Sequence, residues 1–177
     1  MGTKPEPVVR PARPKDARSF LDSWRVVVAE KRFIRTEEAS RPVRYYRKQF
    51  RKSWTKADAS IVAVDEGRVI GHVGVSREEG HATEHVASLG MWVAPEWRGR
   101  GIGSALLAAA IGWAREMGVE KLALSVYPHN DAALGLYRKF GFVQEGRLTG
   151  HSKKSIGYVD EIVMGLWLVP RGGYGGE

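Results

Sequence analysis

Glycine and arginine alternate in the segment Arg98-Gly99-Arg100-Gly101-Ile102-Gly103-Ser104, which lies between two apolar stretches. The stretch before it, residues 89–95, ends at a proline and is typical of a buried strand, and the stretch after it has apolar residues at helical spacing. In a turn between a strand and a helix, backbone N–H groups and the positive end of the helix dipole point at one place, and glycine lets a ligand approach closely. The segment therefore predicts a binding site for a phosphate group.

The spacing of these residues distinguishes the turn from two other phosphate-binding loops. A P-loop requires a lysine directly after its last glycine, and no lysine follows Gly103. A dinucleotide-binding turn requires the order Gly-x-Gly-x-x-Gly, whereas this chain has Arg98-x-x-Gly101-x-Gly103. Both loops are therefore excluded. From the residues of this loop alone, a tight turn without a ligand remains the alternative.

A second group of polar residues lies on a helix predicted after residue 130. Asn130 is a favoured N-cap, Gly141 can end the helix, and Tyr137 lies between them. The apolar stripe of this helix is predicted at Ala133, Leu136 and Phe140. Capping and packing alone would account for Asn130 and Tyr137.

The remaining periodicities predict the elements that position these groups. Seven strands are predicted, at residues 8–10, 60–64, 68–75, 84–94, 121–126, 142–147 and 158–168, the last two joined by a polar turn at 151–154. A helix joins the fourth and fifth strands, so they are expected to be parallel, and their splayed ends would open a crevice beside the glycine-rich turn. Gly90 in the fourth strand predicts a bulge or an opening in the backbone. The predicted fold is α/β (α+β), with a mixed, mostly antiparallel sheet flanked by helices.

Length and composition limit the kinds of protein that this chain can be. With 177 residues, we expect a single domain over residues 1–169 and a flexible glycine-rich tail over residues 170–177. No apolar run could span a bilayer and the N-terminus does not resemble a signal peptide, so we expect a cytoplasmic protein without membrane contact. The chain has no cysteine and its five histidines are scattered, which excludes disulfides and thiolate chemistry and predicts no metal site.

The chain is basic, with 28 Lys and Arg residues against 20 Asp and Glu residues and a formal net charge of +8. Part of this charge lies at residues 31–56, where basic and aromatic residues alternate. The basic residues are Lys31, Arg32, Arg35, Arg41, Arg44, Arg47, Lys48, Arg51, Lys52 and Lys56. Such a segment is either a solvated face whose aromatic residues pack on the domain, or a binding surface for nucleic acid or an acidic protein.

The two motifs occur in the order found in a known family. Arg98-x-x-Gly101-x-Gly103, followed about thirty residues later by Asn130, Ala133, Tyr137 and Phe140-Gly141-Phe142, resembles the GNAT superfamily of N-acetyltransferases. The resemblance covers residues 8–168 and is strongest over residues 89–142. It implies the GNAT fold, splayed between strands four and five, and transfer of an acetyl group from acetyl-CoA to a primary amine by direct attack.

The resemblance also implies roles for individual residues. The backbone that would hold the pyrophosphate of acetyl-CoA is that of Arg98, Gly99, Arg100, Gly101, Gly103 and Ser104. The main-chain groups that would contact the pantetheine arm and the thioester are those of Met91, Trp92 and Val93. Asn130 would also contact the pantetheine, and Tyr137 would donate a proton to the departing thiolate.

The general base cannot be transferred from the family, because Ala87 stands where some members have a carboxylate. We expect Glu84 in this role, acting through water, with His85, Asp160 and Glu161 as alternatives. Without an assured base, an acceptor of low pKa is favoured, such as a protein N-terminus or an amino acid, over a polyamine. The pattern Gly157-Tyr158-x-Asp160 resembles the branch that acetylates ribosomal-protein N-termini and polyamines.

Two other hypotheses remain open. In the first, the chain is a non-catalytic module that binds CoA or associates with the ribosome or a nucleic acid through residues 31–56, although a nucleic-acid partner is not otherwise expected. In the second, the donor is a longer acyl-CoA. The sequence leaves open whether the protein forms a homodimer.

Overall fold

The computed structural model of the chain describes residues 6–170, so most of the tail expected at residues 170–177 lies outside the described residues. The helices are α1 (Ala17–Ala29), α2 (Val43–Gln49), α3 (Ile102–Glu116) and α4 (Asp131–Lys139). The strands are β1 (Val8–Pro11), β2 (Asp58–Asp65), β3 (Arg68–Arg77), β4 (Val86–Val93), β5 (Lys121–Val126), β6 (Val143–Lys154) and β7 (Gly157–Trp167). No helix within residues 6–170 is long and apolar enough to cross a membrane.

All seven strands form one sheet in the order β1-β2-β3-β4-β5-β7-β6. Only β4 and β5 are parallel; the other neighbouring strands are antiparallel. The parallel pairing covers three positions and ends at Ser88↔Ala123, while β4 stays paired with β3 as far as Gly71↔Val93. The predicted mixed sheet and its splay between β4 and β5 are therefore confirmed. Gly90 lies beyond the last β5 partner without a register shift on β3, so it marks an opening and not a bulge.

The helices cover both faces of the sheet, and the alternation of side chains along β4 separates two cores. Leu89, Met91 and Val93 contact the core beneath α3 and α4, whereas Trp92 belongs to the core beneath α1 and α2. The core beneath α3 and α4 contains more buried residues than the core beneath α1 and α2. Full burial of each large apolar side chain contributes about 1.5–3 kcal/mol to stability. An opening between β4 and β5 therefore connects two differently built halves of the protein.

Helices α1 and α2 both pack on the core that contains Trp92. In α1, Phe20, Leu21, Val27 and Val28 are buried, and Trp24 is partly exposed at the edge of this core. Helix α2 begins directly after Pro42, because the extended backbone of this proline can precede a helix but cannot continue one.

The polar turn predicted at residues 151–154 is wrong, because β6 continues through these residues and the chain reverses at 155–156. Long-range hydrogen bonds stabilise the polar strand. The buried amine of Lys154 donates to the carbonyl oxygens of Lys31 (2.7 Å) and Ile34 (2.9 Å), and the Ser152 hydroxyl donates to Glu161 (2.5 Å). Strand β4 also differs, since it begins at Val86 and leaves residue 84 in the preceding turn.

The apolar stripe predicted for α4 packs against the core beneath α3 and α4, although its residues are not the most deeply buried ones of the helix. The buried residues of α4 are Leu134 and Tyr137, whereas Ala133, Leu136 and Phe140 are only partly buried. Ala133 and Leu136 also line a cavity, which leaves them partly exposed. The helix therefore presents one apolar side to the core and another to the candidate site.

Candidate functional site

A cavity of about 1380 Å³ lies where β4 and β5 separate. On the α3 and α4 side it is lined by the glycine-rich loop, Asn130 and Tyr137. On the other side it is lined by aromatic residues of α1 and by residues from 32 to 41. The cavity therefore crosses the sheet and is lined by residues from both of its faces.

The glycine-rich loop provides an open main-chain surface at the start of α3. Gly99 and Gly101 have positive φ values of 72° and 81°, and a Cβ atom added to either would meet no atom within 4 Å. Gly101 is the N-cap of α3, no side chain caps the helix, and its first turn has no acidic residue. The first N–H groups of an α-helix have no partner within the helix, so this end of α3 can bind an anion such as a phosphate.

Gly103 has a packing role in addition to its predicted place in the loop. A Cβ atom at Gly103 would lie 3.2 Å from Cδ2 of Leu136 and 3.6 Å from Cε of Met91. The glycine thus allows α3 to approach α4 and β4 at the level of the cavity. Ser104 follows it and also lines the cavity.

The two arginines of the loop differ in their surroundings. The guanidinium group of Arg98 binds the Glu30 carboxylate (2.9 and 2.5 Å), and its Nε donates to the carbonyl oxygen of Val93 (3.1 Å). This arginine therefore ties the loop to the residue that follows α1. Arg100 lies over the ring of Trp97, 5.2 Å from its centroid, and does not line the cavity.

The three predicted positions on β4, Met91, Trp92 and Val93, all line the cavity. They lie beyond the last residue of β4 that pairs with β5, so their main-chain groups on that side have no strand partner. The Trp92 ring packs on the other face of the sheet, 5.4 Å from Phe20 and 5.7 Å from Trp24 between ring centroids. Strand β4 thus exposes backbone hydrogen-bonding groups along the gap.

Asn130 and Tyr137 both line the cavity from α4. The side-chain oxygen of Asn130 accepts a hydrogen bond from the Ala133 N–H (3.3 Å), as predicted for an N-cap. Tyr137 is only 6% exposed, and its hydroxyl has no hydrogen-bond partner among residues 6–170. Burial raises the pKa of Tyr137 to about 12, so this phenol stays protonated at neutral pH and can donate a hydrogen bond.

The structure does not bring Glu84, the predicted base, to the cavity. Glu84 lies in the turn before β4, outside the cavity lining, and its side chain is 64% exposed. Its Oε1 atom lies 3.7 Å from Nδ1 of His81. Of the alternative bases, His85 stacks on Trp167, and Asp160 accepts a hydrogen bond from Arg147. Neither His85 nor Asp160 lines the cavity.

Glu161 is the one alternative that lines the cavity, and it is 1% exposed. Burial would raise its pKa, but hydrogen bonds from Arg35 and Ser152 outweigh this effect and lower the pKa below its usual value. The Nε atom of Arg35 lies 2.8 Å from the carboxylate. Glu161 is therefore an ionised structural partner of Arg35. Sequence reasoning missed this pair, because 126 residues separate its members.

Residues 30–37, here called the strap, run across the cavity after α1. Its carbonyl groups at Lys31 and Ile34 bind Lys154, and the carbonyl of Arg32 lies 2.9 Å from Nε2 of His129. Its Glu37 carboxylate accepts two hydrogen bonds from Ser155, at 3.0 and 2.8 Å. The strap was predicted only as part of a basic segment, whereas its position depends on contacts with the far end of the chain.

His72 is a cavity residue that the sequence did not indicate. Its Nε2 lies 2.8 Å from the Ser60 hydroxyl, and its ring packs 5.0 Å from that of Phe20. Burial lowers its pKa to about 3, so the imidazole is neutral at pH 7. Residues 6–170 contain no cluster of three or more His, Cys, Asp or Glu residues that could hold a metal ion.

A sequence model of the Acetyltransferase (GNAT) family matches residues 24–142, more than half of the chain. The chain therefore belongs to this family, which confirms the resemblance inferred from the two motifs. The match includes α3, α4 and the separation of β4 from β5.

Three comparisons illustrate this relationship. The chain is 32% identical over 108 residues to an L-amino acid N-acetyltransferase of Escherichia coli, covering 59% of this chain and 65% of that protein. A GNAT-family acetyltransferase from Streptococcus pneumoniae has a similar structure, with a TM-score of 0.85, 26% identity and coverage of 93% and 100% of the two chains. A phosphinothricin acetyltransferase from Sinorhizobium meliloti, solved with acetyl-CoA, shares the fold at 24% identity, with a TM-score of 0.81 and coverage of 92% and 89%.

The chain spans less than two thirds of the length of two curated relatives that it matches. It covers 65% of the E. coli protein and 37% of a mycothiol acetyltransferase from Saccharomonospora viridis, to which it is 33% identical over 114 residues, or 60% of this chain.

Proposed function

We propose that this protein transfers an acetyl group from acetyl-CoA to a primary amine by direct attack of the amine on the thioester. The observation that carries the proposal is the cavity that crosses the sheet between β4 and β5. One side offers an open glycine loop at a helix N-terminus, and the other side is lined by α1 and the strap. Two substrates can thus meet in the gap without passing each other.

The α3 and α4 half fits acetyl-CoA, which supplies the activated acetyl group when it is bound. The main chain of Gly99, Gly101, Gly103 and Ser104, with that of Arg98 and Arg100, would hold the pyrophosphate. This assignment is supported by the open space over Gly99 and Gly101, which any larger side chain would fill. The free edge of β4 at residues 91–93 and Asn130 would bind the pantetheine arm, and a β4 N–H would polarise the thioester carbonyl.

Tyr137 is proposed as the proton donor to the departing thiolate: as the C–N bond forms and the C–S bond breaks, the sulfur takes the phenol proton, and the proton that the amine nitrogen releases restores the phenol. A free thiol has a pKa of about 8.5, so a thiolate leaves more readily when a nearby acid donates to it. Tyr137 is protonated, faces the cavity and has no competing hydrogen-bond partner among the described residues. These properties support a proton donor and argue against a purely structural phenol.

The acceptor would enter from the α1 side, and we propose that its amine has a low pKa. Glu84 lies away from the cavity. Glu161 is a weak base, because the hydrogen bonds from Arg35 lower its pKa, so neither carboxylate is suited to deprotonate an ammonium group. An α-amino group has a pKa of about 8 and is partly neutral at pH 7, whereas a lysine or polyamine amine near 10 is not. An amino acid or a protein N-terminus is therefore favoured, as the E. coli relative's name also suggests.

The test is a screen of amino acids, N-terminal peptides, polyamines and aminoglycosides with acetyl-CoA, read by release of the free thiol of CoA and by mass spectrometry of the acceptor. We expect acetylation of α-amino acceptors at rates above those of polyamines at pH 7. Release of CoA without an acetylated product, or none with any amine, would refute the transfer reaction. Equal or higher rates with polyamines would refute only the choice of acceptor.

A further inference from the structure

The charge excess of this protein is concentrated in a short part of the chain. Residues 39–57 contain seven Lys and Arg residues and no Asp or Glu, so the rest of the chain has 21 basic residues against 20 acidic ones. The seven are Arg41, Arg44, Arg47, Lys48, Arg51, Lys52 and Lys56. Almost the whole formal charge of +8 therefore comes from α2 and the residues that flank it.

Helix α2 turns its apolar side to the protein and its charge to the solvent. Val43, Tyr46 and Phe50 pack in the core beneath α1, and the Tyr46 ring lies 4.8 Å from that of Phe20. The outer side of α2 and of the 3-10 turn Phe50–Lys52 that follows it is here called the basic face. It consists of Arg44, Arg47 and Lys48 of α2 and Arg51 of the turn, all of them exposed.

No residue of the basic face forms an ion pair with a carboxylate of the part of the chain that the structure describes. Like charges three and four residues apart destabilise a helix, so this arrangement lowers the stability of α2 instead of raising it. Arg41 adds a charge of the same sign close by, since it acts electrostatically on Tyr46. Arg25 of α1 also acts on Tyr46, but it is paired with Asp22 at 3.7 Å. The face is thus complementary to an acidic partner that is absent from the isolated chain.

The basic face is continuous with the side of the cavity from which the acceptor would enter. Arg41 and Tyr45 line the cavity, and the Arg41 guanidinium lies 5.2 Å from the centroid of the Tyr45 ring. Tyr45 is 40% exposed on α2 beside the charged residues. A chain bound along α2 therefore has a direct path into the gap between β4 and β5.

We propose that the basic face docks an acidic polypeptide whose N-terminal amino group enters the cavity. This inference rests on the proposed acetyl transfer. A polypeptide is favoured over a nucleic acid because it carries a nucleophilic α-amino group, whereas the amines of nucleobases are conjugated with their rings and react poorly. Three of the four residues of the face are arginines, which bind carboxylates through two parallel hydrogen bonds.

The experiment compares two peptides that share their N-terminal residues and differ in the residues that follow, Asp and Glu in one and Asn and Gln in the other. We expect kcat/KM to be about tenfold higher for the acidic peptide, as is typical of electrostatic attraction, and the difference to shrink as NaCl is added. The triple variant Arg44→Gln, Arg47→Gln and Arg51→Gln should abolish the difference.

A matched control removes the same charge elsewhere, through Arg115→Gln, Lys139→Gln and Lys153→Gln, at exposed positions outside the cavity lining. The control should keep the preference for the acidic peptide, and neither triple variant should alter acetylation of a free amino acid. Binding of the labelled acidic peptide, measured by fluorescence anisotropy, reports docking independently of acetyl transfer. If the acidic peptide binds but is never acetylated, the proposed function fails and docking stands.

Three results would overturn the docking proposal while leaving the transfer reaction intact. The first is an equal kcat/KM for the two peptides. The second is an equal loss of the preference in both triple variants. The third is tighter binding of a single-stranded RNA oligonucleotide than of the acidic peptide, with binding lost in the α2 variant, which would assign the face to nucleic acid.

Discussion

Replacing Tyr137 by phenylalanine tests the chemistry of the cavity with little change to its packing. The substitution removes one hydroxyl that has no hydrogen-bond partner among residues 6–170, and it keeps the ring that packs 5.7 Å from Phe142. No hydrogen bond within the protein is lost, so we expect the free energy of unfolding to change by less than about 1 kcal/mol. A change in rate can then be attributed to loss of the proposed proton donor.

The expected magnitude follows from the state of the phenol. Its pKa of about 12 keeps Tyr137 protonated at every pH at which the enzyme would be assayed, so the proton that it is proposed to donate is present throughout. A positioned general acid contributes about 10²–10⁴-fold to the rate, which corresponds to roughly 2.7–5.4 kcal/mol of the barrier. We expect kcat to fall by this factor, while the dissociation constant of acetyl-CoA stays within about threefold of the wild-type value.

The assay combines thiol release for kcat, titration calorimetry for acetyl-CoA binding and thermal unfolding for integrity. Tyr158→Phe is a suitable control, because Tyr158 lies on β7, is 73% exposed and is not part of the cavity lining. The control should keep wild-type kinetics. A folded Tyr137→Phe variant that binds acetyl-CoA and turns over at the wild-type rate would refute the role of Tyr137.

Three further predictions concern the loop and two titratable side chains, Glu161 and His72. Gly101→Ala should lose measurable acetyl-CoA binding by calorimetry and about 1–2 kcal/mol of stability, because φ is +81° there, whereas Gly112→Ala in α3 should retain binding. Arg35→Met should cost about 1–3 kcal/mol in urea unfolding at pH 7, because it leaves the Glu161 carboxylate buried without its partner. Since the pKa of Glu161 is lowered on folding, this difference from the wild type should shrink as the pH falls below about 4.3. Burial lowers the pKa of His72 to about 3, so the unfolded chain takes up a proton near pH 6.5 that the folded chain excludes. The free energy of unfolding should therefore decrease as the pH falls below 6.5, by at most about 1.4 kcal/mol per pH unit. His72→Gln should remove this slope.

The half of the site that faces α3 and α4 could be predicted because its determinants are local. The positive φ values of Gly99 and Gly101 and the start of α3 depend on a few consecutive residues, which the sequence shows directly. Asn130 likewise caps the helix that begins one residue later. Glycine spacing and capping are short-range properties, so reasoning from the sequence identified them before any tertiary contact was known.

The half that faces α1 could not be predicted, because its contacts join distant parts of the chain. Arg35 and Glu161 are 126 residues apart, and Lys154 binds the carbonyl of Lys31 across 123 residues. Polarity at residues 151–154 favoured a turn, but the same polar groups bind the strap and Glu161 and so support a strand. Glu84 was a reasonable base by its position on the chain, but the strand begins two residues later and leaves Glu84 in solvent.

The basic residues of the segment 31–56 divide into two groups only when the fold is known. Arg35 lies in the strap and is neutralised by Glu161, so its charge is used within the protein. The residues of the basic face meet no carboxylate among residues 6–170, so their charge is directed to the solvent. Net charge alone treats both groups alike, since it counts cations without their partners. A surface can be inferred to bind an acidic partner only if its cations are not already neutralised within the fold. The basic face satisfies this requirement, whereas Arg35, which is paired with Glu161, does not.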